Sequence, residues 1–238
     1  ELISDAKENG VVALVTNSID LKTCQNDIKL AHQYPNLVYP ALGIHPWNIN
    51  TLEENEIQET IEFIEKQKDV VKAIGEIGLD CKYETIWERQ TQVFDKMLRL
   101  AEKLSLPVII HSRGTTDIIV EMLASYKLKQ VLLHWFSHPM SALIKAIDKG
   151  YFISEGPPLT YSKGIREVVE NTPITNLLTE TDGPVTYWKK PYKGQLTKPS
   201  YILNVVNAIA EIKKMSVEDA AAQIANNFEK LFDIKIVN

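Results

Sequence analysis

The chain has 238 residues, 26 Lys+Arg against 31 Asp+Glu for a formal net charge of −5, and 45% hydrophobic residues. That length and apolar content are enough to bury a large core in one large or two smaller domains, which excludes disordered and low-complexity architectures. The mild acidity, with pI ≈ 5.6, excludes a protein that coats nucleic acid through a global positive field, although local basic patches stay open.

The first residues, Glu1-Leu2-Ile3-Ser4-Asp5-Ala6-Lys7, read as a helix already under way and lack the basic start and apolar stretch of a signal peptide. Short β-rich apolar runs then predict strands over 11–15, 37–44, 71–77, 108–111, 131–135, 151–154 and 176–180. Amphipathic stretches between them predict helices over 21–32, 52–67, 87–104, 115–126, 139–149 and 161–171, and 199–232 reads as two more. Gly10, Gly150 and the Leu106-Pro107 junction mark passages from helix to strand.

Strict alternation of apolar strands with helices implies a parallel sheet covered by helices. A barrel and a doubly wound sheet both satisfy it. The strand count is one short of a (β/α)₈ barrel, and the chain is slightly under the roughly 250 residues typical of that fold. The absent strand is therefore expected upstream of residue 1. Without an internal repeat, charged tail or Ser/Gly-rich linker, a single domain over 1–238 is the expectation. The two cysteines, Cys24 and Cys81, are too few for a disulfide framework and point to a reducing, cytoplasmic setting. No run reaches the roughly 18 apolar residues of a membrane span, so no membrane partner is expected.

Several predicted strands end in ionisable groups. The ends read Leu42-Gly43-Ile44-His45-Pro46, Ile74-Gly75-Glu76-Ile77-Gly78-Leu79-Asp80, Ile109-Ile110-His111-Ser112-Arg113, Leu132-Leu133-His134-Trp135 and Leu177-Leu178-Thr179-Glu180-Thr181-Asp182-Gly183-Pro184. In parallel α/β folds the C-terminal strand ends open on one face, where active sites are built. Imidazoles and carboxylates gathered there suit Zn²⁺, Mn²⁺ or a similar divalent ion, and a carboxylate can bridge two ions. Such a site lowers the pKa of bound water and stabilises charge on the attacked carbonyl or phosphoryl oxygen, while a nearby carboxylate takes the proton. Each residue also has an ordinary use: His111 or His134 as a hydrogen-bonded structural histidine, Glu76 as a buried ion-pair partner, Asp182 as an Asx turn before Gly-Pro. Their joint occurrence on one face weakens those uses. His32, before Tyr34-Pro35, reads as a surface or helix-end residue.

Taken in order, Gly43-Ile44-His45-Pro46, Gly75-Glu76-Ile77-Gly78-Leu79-Asp80, Ile109-Ile110-His111-Ser112-Arg113, His134-Trp135-Phe136, Glu180-Thr181-Asp182-Gly183-Pro184 and Pro191-Tyr192-Lys193-Gly194 resemble the motifs of the TatD-related metal-dependent deoxyribonucleases, within the wider amidohydrolase-like barrels. The resemblance spans nearly the whole chain. It implies an α/β fold, a single (β/α)₈ TIM-type barrel, and two divalent metal ions, Zn, Mg or Mn. It also implies Glu76 as the carboxylate shared between the ions, His111 and His134 as ligands of one, and Asp182 as a ligand of the other. Glu76 and Asp182 form the catalytic pair, Asp182 orienting or deprotonating the attacking water, while His45 and Arg113 contact the scissile phosphate. The family's first strand carries a His-x-His pair, which this sequence lacks. Either that strand precedes residue 1, the preferred expectation, or the chain is a degenerate relative with an incomplete metal centre. On the preferred expectation, residues 1–238 alone bind one metal weakly or lose one site.

The segment Tyr187-Trp188-Lys189-Lys190-Pro191-Tyr192-Lys193-Gly194-Gln195-Leu196-Thr197-Lys198 holds aromatics and lysines but no acid. It could pair with phosphates and stack a base, or be a solvated loop with rings tucked onto the domain. Trp135 is a second candidate platform, with core packing its other use. The leading expectation is metal-dependent hydrolysis of DNA phosphodiester bonds, exonuclease-like, with DNA or another phosphodiester as partner. The alternatives are an amide, lactone or other ester as substrate, and a non-catalytic binding protein.

Overall fold

The structure is a computed structural model, described here for residues 1–83 and 86–236. The chain begins with α1 (Leu2–Glu8), β1 (Leu14–Asn17), α2 (Leu21–Gln33), β2 (Val38–Leu42), α3 (Glu54–Lys66) and β3 (Ala73–Asp80). It continues with α4 (Trp87–Leu104), β4 (Val108–Arg113), α5 (Thr116–Leu123), β5 (Val131–Leu133) and α6 (Met140–Asp148). The last elements are β6 (Phe152–Glu155), α7 (Lys163–Asn171), β7 (Leu177–Thr179), α8 (Ile202–Lys213) and α9 (Val217–Phe232). Each predicted strand is present. Among the described residues no helix is long and apolar enough to cross a membrane.

Two compact units make up the chain, one of Ala13–Leu133 with Leu231–Asp233 and one of Glu1–Val12, His134–Lys230 and the residues from Ile234. In the first, β1 to β5 pair in parallel and in chain order. β2 and β5 are buried at all of their positions and β3 at all but one, which is why they read as continuous apolar runs. Pro40 sits inside β2 although proline cannot donate to a ladder; its carbonyl still accepts from the Lys72 amide at 2.9 Å. The second unit contains the parallel pair β6 and β7, in register from Ile153↔Leu177 to Glu155↔Thr179.

Local chemistry sets the element boundaries. The first strand starts at Leu14 rather than at residue 11 because Val11 belongs to the end of α1: with Gly10 at φ 73°, the Val11 amide reaches back to the Ala6 carbonyl at 2.9 Å, a left-handed helix stop. Helix α2 is opened by Asp20, whose side chain accepts from the Thr23 amide while Thr23 returns a bond to the Asp20 amide. Helix α4 ends at Ser105 in the left-handed region, φ 53°.

The third strand runs to Asp80, beyond the predicted residue 77, because it keeps pairing with β4 through Gly78↔His111, Leu79↔Ser112 and Asp80↔Arg113. Gly78 permits this approach. Its φ is 151°, and a Cβ there would stand 2.0 Å from the His111 carbonyl oxygen. The register shifts between Ile74 and Ile77, the stretch that carries Glu76. An irregularity of this kind re-aims a side chain relative to the regular pleat.

Candidate functional site

In the first unit, the turn after β2, the middle of β3 and the second half of β4 bring His45, Glu76 and His111 together, with one ligand atom of each within 4.8 Å of the others. Nε2 of His45 lies 3.2 Å and Nδ1 of His111 3.1 Å from Oε1 of Glu76. The Trp47 amide donates to Nδ1 of His45 at 3.2 Å. That bond places the neutral ring's proton on Nε2, which then donates to Glu76. His45 thus steadies the carboxylate.

His111 is held differently. Its Nε2 lies 3.1 Å from Oδ2 of Asp80, so a ring that donates to Asp80 turns the Nδ1 lone pair towards Glu76 Oε1. A doubly protonated ring would donate to both carboxylates, whereas the neutral ring leaves two acceptors facing each other, which a shared cation satisfies. A separation of 3.1 Å suits two ligand atoms each about 2.0–2.2 Å from one ion. The donor set of imidazole nitrogen and carboxylate oxygen likewise fits a divalent metal of the zinc or manganese type.

Asp80 is fully buried. Burial alone would raise its carboxyl, but hydrogen bonds from Trp47 Nε1, the Lys82 amide and His111 outweigh that and hold it below the ordinary carboxylate value. Arg113, the expected phosphate contact, is exposed at the end of β4, with its carbonyl accepting from the Cys81 amide.

In the second unit His134 faces a carboxylate. Nδ1 of His134 lies 3.5 Å from Oε1 of Glu180, and Oε2 of Glu180 accepts from the Trp135 amide at 3.2 Å and from the Ser154 hydroxyl. A carboxylate fixed in this way orients an imidazole and raises its basicity as a ligand. Beside it Glu155 is fully buried, and neither carboxylate oxygen has a hydrogen-bond partner among the described residues. Burial first, then the Glu180 charge, push the Glu155 carboxyl well above its ordinary value, with His134 acting the other way. Asp182 follows β7 at φ 49° and is partly buried. Burial, followed by the charges of Asp182 and Glu180, raises the Tyr187 phenol.

Sequence reasoning assigned no role to Asp80, Glu180 or Glu155. Asp80 and Glu180 stood within the quoted motifs, and Glu155 ends β6 one residue beyond the predicted strand. The signal that singled out the other strand ends would have found it. In the Tyr187-to-Lys198 segment, Tyr187 and Tyr192 are buried, whereas Trp188 is 68% exposed. Lys189 lies over the Tyr161 ring at 5.7 Å. Most of the aromatic surface of that loop is therefore packing.

Comparison with known proteins identifies the family. The family described as TatD related DNase matches residues 1–233. The metal-dependent hydrolase YabD of Bacillus subtilis is 31% identical over 98% of this chain and 92% of its own length. Human deoxyribonuclease TATDN3 is 30% identical over 98% of this chain and 88% of its own. Among solved structures, the TatD homologue YjjV of Escherichia coli superposes with a TM-score of 0.92 at 28% identity, covering 98% of this chain and 91% of that one. The chain therefore belongs to the TatD-related DNase family and has its TIM-type α/β fold.

Proposed function

We propose that the chain hydrolyses DNA phosphodiester bonds in the presence of divalent metal ions. The observation that carries this is the facing pair of His111 Nδ1 and Glu76 Oε1, 3.1 Å apart, with His45 on the same carboxylate oxygen; the name of human TATDN3 as a deoxyribonuclease supports DNA as the substrate. A bound ion lowers the pKa of water and stabilises charge on the attacked phosphoryl oxygen. Glu76 and His111 hold it, His45 fixes the Glu76 carboxylate, and Asp80 fixes the His111 ring. Arg113 binds the phosphate through its guanidinium, which suits a bidentate contact. From the resemblance of the motifs that carry them, His134 is a further ligand and Asp182 takes the proton from water. Two ions per complete site, Zn, Mg or Mn, with Glu76 shared between them, finish the proposal.

The test is hydrolysis of a single-stranded oligonucleotide by the purified complete protein supplied in turn with Zn²⁺, Mg²⁺ and Mn²⁺, followed by product analysis. Metal-dependent cleavage is expected, with Glu76→Gln and Asp182→Asn each lowering kcat by about 100-fold or more. Undiminished cleavage by both variants, or turnover of a lactone or amide without any cleavage of DNA, would overturn the assignment.

A further inference from the structure

The ring of Trp47 is built into the edge of the His45–Glu76–His111 group. Its Nε1 donates to Asp80 Oδ2 at 2.7 Å, and it meets His45 edge-on at 4.7 Å and His111 at 5.9 Å between centroids. Tyr83 stacks on it, with centroids 5.5 Å apart and planes inclined by 23°. Despite these contacts Trp47 is 44% and Tyr83 45% exposed. The indole is thus anchored at one edge, paired on a face, and still open to water beside the residues proposed to hold the metal.

We propose that the Trp47–Tyr83 pair is a stacking platform for an unpaired nucleobase of a DNA strand, adjoining the hydrolytic group. This rests on the phosphodiesterase reading above and deepens it by naming the two residues that hold a base of the substrate beside the reacting link. A third flat ring can extend an existing stack, and every base offers a π-face, so such a platform grips DNA without selecting sequence. A base inside a duplex has its faces covered by its neighbours and must be unstacked before it can use such a surface. The indole anchor matters because it steadies the Tyr83 ring stacked on it, whose outer face then loses little freedom when a base lands there. Because the platform touches His45 and His111, a stacked base brings its own phosphodiester link next to Glu76.

Tyr83→Leu keeps an apolar side chain and removes the π-face, while Tyr83→Phe retains it. Trp47 is left intact so that the bond to Asp80 persists. Binding is read by fluorescence anisotropy of a labelled single-stranded oligonucleotide in EDTA, against the same strand built with abasic residues. Cleavage of both strands is read separately with metal present. Loss of stacking on one base weakens binding about 5- to 150-fold. The wild type and Tyr83→Phe are expected to prefer the base-bearing strand by at least 5-fold in Kd and in KM, and Tyr83→Leu to lose most of that preference. An unchanged preference in Tyr83→Leu would overturn the platform while metal-dependent cleavage upheld the activity. A base-dependent Kd lost in Tyr83→Leu, with no cleavage by the wild type under any of the three ions, would uphold the platform and overturn the activity.

Discussion

Asp80 and His111, 31 residues apart in sequence, meet across neighbouring strands with Oδ2 of the carboxylate 3.1 Å from Nε2 of the imidazole. The same oxygen accepts from Trp47 Nε1 at 2.7 Å, and Oδ1 accepts from the Lys82 amide at 2.8 Å. A carboxylate held this tightly has one orientation to offer, and it turns the opposite ring nitrogen of His111 to Glu76.

Asp80→Asn should therefore weaken divalent-ion binding by about 10- to 100-fold, the usual cost of losing an outer partner of a ligating histidine. Titration calorimetry with Zn²⁺ or Mn²⁺ measures this. An affinity equal to that of the wild type would show that His111 does not depend on Asp80.

Glu155 gives a stability prediction with a definite sign. Its carboxyl is raised by burial and by Glu180, so the folded state holds the proton to higher pH than the unfolded chain, whose glutamates titrate near about 4.3. The stability it contributes is complete below that value and is lost as pH rises through the folded value. In EDTA, Glu155→Gln should raise the Tm at pH 8 by roughly 3–10 °C, corresponding to about 1–3 kcal/mol for relieving an unpartnered buried carboxyl. At pH 4 the two proteins should melt together. A lower Tm for the variant at pH 8 would mean that the ionised group is stabilising.

Asp27 on α2 behaves in the same direction, away from the site residues. Burial pushes its carboxyl from 3.8 to about 6, with the Thr16 side chain acting weakly the other way. The contribution is present below the lower value and lost as pH rises through the higher one. Asp27→Asn should gain about 1–2 kcal/mol over the wild type at pH 8, a figure reduced for solvent screening, and should differ little near pH 3.5. Denaturant unfolding at the two pH values checks it. Equal stabilities at pH 8 would contradict the shift.

The alternation of strands and helices was legible because burial on both faces of a parallel strand leaves an unbroken apolar run, and because helix stops such as Gly10 are local chemistry. The candidate residues His45, Glu76, His111, Arg113, His134 and Asp182 were legible for a related reason: a polar side chain at the end of such a run stands out against it. Contacts between those ends were not. That His45 donates to Glu76, that Asp80 orients His111 and that Glu180 pairs with His134 depend on strand register, and the shift between Ile74 and Ile77 and the close approach at Gly78 set that register for Glu76 and His111. The aromatic rings show the same division. Composition drew attention to Tyr187 and Tyr192, which the fold buries, while Trp47 and Tyr83 are the rings it leaves stacked and open. Periodicity and capping act over a few residues and can be read along the chain, whereas hydrogen bonds and ring stacking join side chains that only the packed strands bring within reach.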